Sequence, residues 1–198
     1  DSFDDPDEAG IITEIIEQID AERDDLVRYR KELKEWNKRK SELPIFFGNQ
    51  PKPEHRWNGR IPKLGLIVDD CQSTKLFSNR KFLNAITRHR HLGQLPEGGA
   101  IGISMFVAIQ NYKSTSGGCP RVLRNNVTTL SVFKLKDAKE IDAIYEEVAG
   151  EVDKETFETV YADATVDPYS FLFIDFHKKS EHPSMFRKRF NEFLIPRV

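Results

Sequence analysis

The 198-residue sequence contains little cysteine and no long apolar segment, and both shortages restrict its class. Cys71 and Cys119 are the only cysteines and do not have metal-binding spacing, which fits free thiols in a reducing, intracellular compartment. No apolar run approaches the length that spans a bilayer, and no secretory signal pattern opens the chain. With 38% hydrophobic and 31% charged residues, we expect a globular core under a highly charged surface.

A phosphate-binding loop is also missing from these residues. The pattern Gly-x-x-x-x-Gly-Lys-[Ser/Thr] does not occur, and neither does any Gly-Lys dipeptide. Such a loop cradles β- and γ-phosphates through backbone N–H groups. The chain starts at Asp1 rather than at a methionine. Two interpretations are therefore open: an inactive or different protein, or a fragment that lacks its first βα unit.

Acidic residues are nearly absent from the middle of the chain. Between Cys71 and Lys136 the only acid is Glu97, although the net charge of the chain is −2. This basic stretch suggests a polyanionic partner, and the alternative is a solvated face paired with the acidic flanks. Its length favours a role facing phosphates. Its lysines and arginines are Lys75, Arg80, Lys81, Arg88, Arg90, Lys113, Arg121, Arg124, Lys134 and Lys136.

Three regions differ in pattern along the chain. Residues 1–10 are acidic and lack apolar periodicity, so we expect a disordered tail. Residues 11–61 read as a long charged helix, ending near Leu43, and a proline-containing loop. The first half of that helix has an apolar face with which it could dock. The second half is mostly charged and would project into solvent or against a partner. Residues 62–198 read as the folded core.

Within the core, strand-like and helix-like segments alternate. This order predicts βαβ units and an α/β fold with a mostly parallel sheet flanked by helices. The predicted strands are 64–70, 101–109, 127–135 and 169–176, the predicted helices are 79–90, 137–149, 153–164 and 185–194, and 121–126 is a short helix or turn.

Two adjacent carboxylates end the first predicted strand. The run Leu64–Val68 is short and apolar, which is typical of a strand buried on both faces, and Asp69 and Asp70 follow it. Gln110 ends the next predicted strand, and parallel strands open on one rim. Asp69 would hold Mg²⁺, Asp70 would orient or deprotonate water, and Gln110 would sense a γ-phosphate. The alternative is that the acids cap the next helix or lie in a solvated turn.

Several motifs, in order, resemble a known family. They are LGLIVDD at 64–70, NAITRHRHLG at 84–93, ISMFVAIQNY at 103–112, RVLRNN at 121–126 and YSFLFIDFHKK at 169–179. Together they resemble the genome-packaging ATPases of large double-stranded DNA viruses, of poxvirus type, in the FtsK–HerA branch of P-loop motors. His89 departs from the glycine that this family tends to have.

The resemblance implies a P-loop NTPase fold whose upstream P-loop unit is absent here. It also implies Mg²⁺-dependent ATP hydrolysis that drives double-stranded DNA into a capsid, near its portal, by a homo-oligomeric ring in the virion or in the host cytoplasm and viral factory. Asp69 and Asp70 match the family's Walker B pair. The other matches are Arg90 and His91 in an Arg-His turn, Gln110 and Tyr112 in Gln-x-Tyr, and Arg124 and Asn126 in Arg-x-Asn, with Arg124 a candidate arginine finger across a subunit boundary.

Other classes remain open from the sequence. One is another DNA translocase or helicase of the same superfamily, and a second is a non-catalytic DNA- or capsid-binding module. A metal-dependent nuclease using Asp69 and Asp70 usually needs further acids on adjacent strands. Arg124 could equally form a surface salt bridge or contact DNA phosphate, and Arg90 and His91 suit a helix C-terminus in any fold.

Overall fold

The computed structural model describes residues 8–45, 47–48, 50–72, 74–113 and 118–196. Two compact units divide the chain, Asp1–Ile109 and Gln110–Val198. The first holds a small parallel sheet and the second an antiparallel sheet, each accompanied by helices. The predicted α/β class with a long N-terminal helix is therefore confirmed. The finer P-loop assignment stays a prediction.

Helix α1, Glu8–Glu42, agrees with the predicted long helix and begins three residues earlier. Most of the predicted tail, residues 1–7, lies outside the described residues. Ion pairs one helical turn apart support the exposed side of α1, for example Arg23 with Asp20 and Arg28 with Asp25. Its buried positions, such as Ile19 and Leu26, are spaced at seven residues and face one core.

The segment after α1 returns along the helix and packs on it. The buried ring of His55 stacks on Tyr29 with centroids 5.0 Å apart, and its Nδ1 accepts the N–H groups of Trp57 and Gly59. Further back on α1, Glu22 accepts the indole N–H of Trp57 at 2.8 Å. The proline-containing loop is thus fixed to α1 by directed contacts.

The sheet of the first unit consists of two parallel strands, β1 (Gly65–Val68) and β2 (Ser104–Val107). Helix α2, Arg80–Arg88, connects them in the predicted βαβ order and is N-capped by Asn79. One face of the sheet, with Leu66 and Met105, packs on the core cluster that α1 and the segment 95–103 supply.

The other face of this sheet is exposed, so the prediction that the first strand is buried on both faces is wrong. Ile67 and Phe106 lie opposite each other in register, and they are 76% and 63% exposed. The apolar run predicted burial because branched residues fill buried parallel strands. Among the described residues of this unit, the α1 side of the sheet is covered and the side with Ile67 and Phe106 is exposed.

The second unit is built on an antiparallel sheet of order β3-β4-β5-β6. A short helix, α3 (Arg121–Arg124), precedes it, and helices α4 (Ala138–Tyr145) and α5 (Lys154–Ala164) connect β3 to β4. Aspartates cap these two helices: Asp137 accepts the amide of Lys139 and Asp153 that of Thr156, both at 2.9 Å. The strands are β3 (Thr129–Phe133), β4 (Phe171–Asp175), β5 (Phe186–Lys188) and β6 (Glu192–Leu194).

Two predictions for this unit are wrong. The sheet is antiparallel, and residues 185–194 form the hairpin of β5 and β6 rather than a helix. The aromatic spacing of Phe186, Phe190 and Phe193 suits a helix, but β5 pairs with β4 and thereby buries Phe186 to 1% exposure. Arg189 enters the turn at φ 55°, and this tertiary pairing overrides the local pattern.

None of the helices in the described part of the chain combines the length and apolar character needed to cross a membrane.

Candidate functional site

Asp69 and Asp70 directly follow β1, and both are exposed. Because β1 and β2 are parallel, with Val68 opposite Val107, both strands end at the same edge. The amide of Ala108 donates to the carbonyl of Val68 at 2.9 Å and joins the two strand ends just before the acids. The parallel pairing predicted here is confirmed, and open α/β sheets bind ligands at this edge.

The acid pair lies in a tight turn. Asp70 has a φ of 53°, in the left-handed region that aspartate tolerates better than most residues. Both the amide and the hydroxyl of Thr74 then donate to the carbonyl of Cys71. The caps of the two helical segments that follow are Thr74 and Asn79, so the acids do not cap the next helix.

Cys71, next to the acids, is a half-buried thiol. Its Sγ lies 3.2 Å from the carbonyl oxygen of Asp69 and donates to it. Burial raises the pKa of the Cys71 thiol, and the charges of Asp70 and Asp69 raise it further. The thiol therefore stays protonated at neutral pH, which favours a packed cysteine over a nucleophile.

The Arg-His turn follows α2 as one turn of 3-10 helix, His89–His91. Nδ1 of His89 lies 2.6 Å from the carbonyl of Ile86, so Nδ1 carries the proton and donates it. Its Nε2 then accepts from Nε of Arg90 at 3.2 Å. His89, at the position of the family's glycine, thus ends α2 and orients Arg90. Arg90 and His91 are both exposed.

His91 also lines an open cleft of about 520 Å³ between α1 and α2. The charges in the cleft are mixed: Lys81 donates to Thr13 at 2.8 Å, and Arg23 pairs with Asp20 at 2.7 Å. The residues that line the cleft do not include Asp69 or Asp70.

In the second unit, Arg124 is engaged with two neighbours. Its Nη1 lies 3.1 Å from Oε1 of Glu147, and its guanidinium lies 5.7 Å from the ring centroid of Tyr112. Burial and the charge of Glu147 raise the pKa of Tyr112, whose amide also donates to Glu140 at 2.5 Å. The predicted finger and the tyrosine of Gln-x-Tyr are therefore brought together by two glutamates of the α4 region.

The remaining predicted site residues of the second unit, Gln110 and Asn126, are each two positions away from Tyr112 or Arg124 in the sequence. Gln110 is exposed at the first position of the second unit. Asn126 is half-buried, and its side-chain amide donates to the carbonyl of Val122 at 2.8 Å, which closes α3. Cys119 is buried, and burial raises its pKa to about 11.

The predicted site is divided between the units. Asp69, Asp70, Arg90 and His91 belong to the first, and Gln110, Arg124 and Asn126 to the second. The site that would join residues of both units stays a prediction. Among the described residues, no group of three or more His, Cys, Asp or Glu side chains could hold a metal ion alone.

Sequence reasoning missed the partners of Arg124. Glu147 is 23 residues away, and no local spacing rule links the two positions. The sequence offered one weak signal, namely the acidic flank that was weighed as a partner for the basic stretch. Comparison with protein-family models, curated proteins and solved structures finds no match to this chain.

Proposed function

We propose that the chain is the downstream half of a Mg²⁺-dependent ATPase that drives double-stranded DNA into a viral capsid. In this proposal identical subunits form a ring near the capsid portal, in the virion or viral factory. The proposal rests on the motif resemblance and on one structural observation: an acid pair follows the first of two parallel strands.

The position of the two carboxylates supports the proposal. Asp69 and Asp70 are exposed at the carboxyl edge of β1, the edge at which α/β sheets place their ligand chemistry. The turn at Asp70 stops the strand there, since its φ of 53° is not compatible with extended chain. Two carboxylates are thereby presented together to solvent.

Two carboxylates fit magnesium in a nucleotide site. Mg²⁺ in such sites is bound by one or two carboxylates together with waters and substrate phosphates, so a third protein ligand is not needed. Asp69 would hold the ion, which neutralises charge on the phosphates when bound. Asp70 would orient the attacking water and accept its proton, and Gln110 would contact the γ-phosphate.

Cationic residues and one side-chain amide would complete the site. Arg90, His91 and Asn126 would contact the nucleotide, and Arg124 would stabilise negative charge on the phosphate of a neighbouring subunit. For that last role the Arg124 guanidinium must leave Glu147, its partner at 3.1 Å. The phosphate-binding loop that the proposal requires is not within these residues.

The test uses protein expressed from the complete reading frame. We expect Mg²⁺-dependent ATP hydrolysis, and we expect Asp70→Asn to abolish turnover while nucleotide binding, followed with a fluorescent ATP analogue, is retained. Asparagine also tolerates the left-handed turn, so the backbone is spared. Asp163→Asn, at an exposed acid of α5, is the matched control and should keep full turnover.

Retained turnover in Asp70→Asn would overturn the role of that carboxylate. Mixed rings test Arg124. Subunits with Arg124→Ala should be inactive in their own rings but should restore activity when mixed with Asp70→Asn subunits. Mixed rings without activity would contradict a finger that acts across the subunit boundary.

A further inference from the structure

The outer face of the antiparallel sheet carries a row of aromatic side chains. Register places Phe133 opposite Phe171, and Phe173 opposite Arg187, which in turn lies opposite Phe193. Because side chains alternate along a strand, these residues share one face of the sheet. We call Phe133, Phe171, Phe173, Phe190 and Phe193 the aromatic face.

The opposite face of the sheet is the core. Val132, Leu172, Ile174 and Phe186 are buried there, and α5 packs on β4 and β5. The two faces therefore differ sharply in exposure. On the aromatic face Phe133 is 53% and Phe190 is 65% exposed.

The aromatic rings form a continuous, ordered row. Ring centroids are 5.1 Å apart for Phe133 and Phe171, 5.0 Å for Phe171 and Phe190, and 5.5 Å for Phe190 and Phe173. The Arg187 guanidinium extends the row, at 5.3 Å from the ring of Phe173. Strand pairing fixes this geometry before any ligand arrives, so little conformational entropy is lost on stacking.

Cationic residues adjoin the two exposed phenylalanines of the row along the chain. Lys134 and Lys136 follow Phe133 in the chain, and Arg189 precedes Phe190; all three are exposed, and none is ion-paired among the described residues. The amide of Arg189 donates to Phe171, which keeps it at the same end of β4. The acid on the aromatic face, Asp175, is neutralised by Arg187 at 3.2 Å.

We propose that the aromatic face binds a single-stranded nucleic-acid segment. Bases stack on Phe133 and Phe190, and the adjoining phosphates are held by Lys134, Lys136 and Arg189. Exposed aromatics beside unpaired cations are the two components that bind single strands without sequence preference. A duplex keeps its bases stacked inside and offers the rings no base faces, so the face selects single strands. This proposal rests on the second unit alone and does not depend on ATP hydrolysis.

The experiment measures binding of a fluorescein-labelled fifteen-nucleotide oligothymidylate to the full chain by fluorescence anisotropy at low salt. We expect Phe133→Ala and Phe190→Ala each to weaken binding about tenfold, the range found for one stacked base. Phe106→Ala removes an equally exposed phenylalanine from the first unit and should leave Kd unchanged.

A second pair of variants separates stacking from apolar contact. Phe133→Trp keeps a ring and should retain binding, whereas Phe133→Leu keeps apolar area but loses the ring and should weaken binding about as much as alanine. Lys134→Gln should lower the slope of log Kd against log salt by about 0.7, the value for one phosphate contact on a single strand.

Three results would overturn the proposal: no binding by the parent chain, equal affinity for the matched duplex, or full binding by Phe133→Leu. Sedimentation of the same variants distinguishes a protein partner. Self-association that is lost in Phe190→Ala and kept in Phe133→Leu would show that the face instead binds a second copy. A cooperative unfolding transition in each variant, compared with that of the parent, confirms that the variants are folded.

Discussion

Arg124 and Glu147 are ion-paired inside the second unit, with 3.1 Å between Nη1 and Oε1 and with 17% and 28% of their side chains exposed. The Nε of Arg124 is buried and has no hydrogen-bond partner in the described structure, so the guanidinium depends on this one carboxylate for countercharge. The pair therefore contributes to the stability of the unit and occupies the Arg124 guanidinium.

Glu147→Gln should destabilise the chain by about 1–3 kcal/mol, because it leaves a largely buried guanidinium without its countercharge. The adjacent Glu146 provides the control. Its ion pair with Lys113 is exposed, and Glu146→Gln should cost less than about 1 kcal/mol. Urea unfolding of both variants measures the difference, and equal costs would contradict a structural role for the Arg124 pair.

The same variant should lower the pKa of Tyr112. Burial is the largest cause of its raised pKa and remains, but the charge of Glu147 is the next cause and is removed. Ultraviolet difference titration of tyrosinate, with Tyr112→Phe to identify the signal, measures the change. An unchanged titration would show that Glu147 does not act on this phenol.

Tyr161 fastens α5 to the end of β3. Its hydroxyl donates to the carbonyl of Phe133 at 3.1 Å and accepts the amide of Leu135 at 2.7 Å. Tyr161→Phe should cost about 1–3 kcal/mol, because two backbone groups lose their partner. Tyr169→Phe makes the same chemical change at a residue that is 93% exposed and should leave the unfolding midpoint unchanged.

Gly93 is required by both its backbone and its neighbours. Its φ is 62°, and an added Cβ would lie 2.9 Å from Cγ2 of Ile19 and 3.0 Å from Cγ1 of Ile101. Gly93→Ala should therefore cost about 1–3 kcal/mol more than Gly48→Ala, which has a similar φ of 57° and open space around it. Thermal unfolding compares the two variants. Equal losses of stability would mean that the core around Ile19 and Ile101 adjusts to the added methyl group without cost.

The two thiols should be alkylated slowly. Burial raises both pKa values, that of Cys119 to about 11, so the reactive thiolate is scarce at neutral pH and the rate keeps rising above pH 9. Burial of Cys71 remains in Asp70→Asn, but one further cause of its raised pKa is removed, so its alkylation by iodoacetamide should become faster while that of Cys119 is unaffected. Peptide-level mass spectrometry reads both sites, and Asp163→Asn should change neither.

Helices and strands could be predicted from the sequence where interactions between neighbouring residues determine them. Helical spacing without glycine or proline predicted most of α1, and Asp137 and Asp153 predicted the starts of α4 and α5. The continuous apolar run of β1 correctly indicated a parallel partner. In each case the signal lies within a few neighbouring residues.

Long-range pairing could not be read in the same way, and the direction of β3 was misread although its sequence carried a signal. In β3, exposed Thr129 and Ser131 alternate with the more buried Leu130 and Val132, a pattern typical of an antiparallel sheet with one open face. Phe186 fits a helix or a strand by spacing alone, and only its pairing with Ile174 decides. Arg124 and Glu147 are 23 residues apart in the chain, and no spacing rule links the two positions.

The uncovered side of β1 and β2 has a practical consequence. Each strand pairs only with the other among the described residues, so Ile67 and Phe106 stand beside strand edges that can recruit another chain. We expect these exposed edges to favour intermolecular sheet pairing in concentrated solution. Replacing Ile67 or Phe106 with lysine should therefore make the chain more soluble.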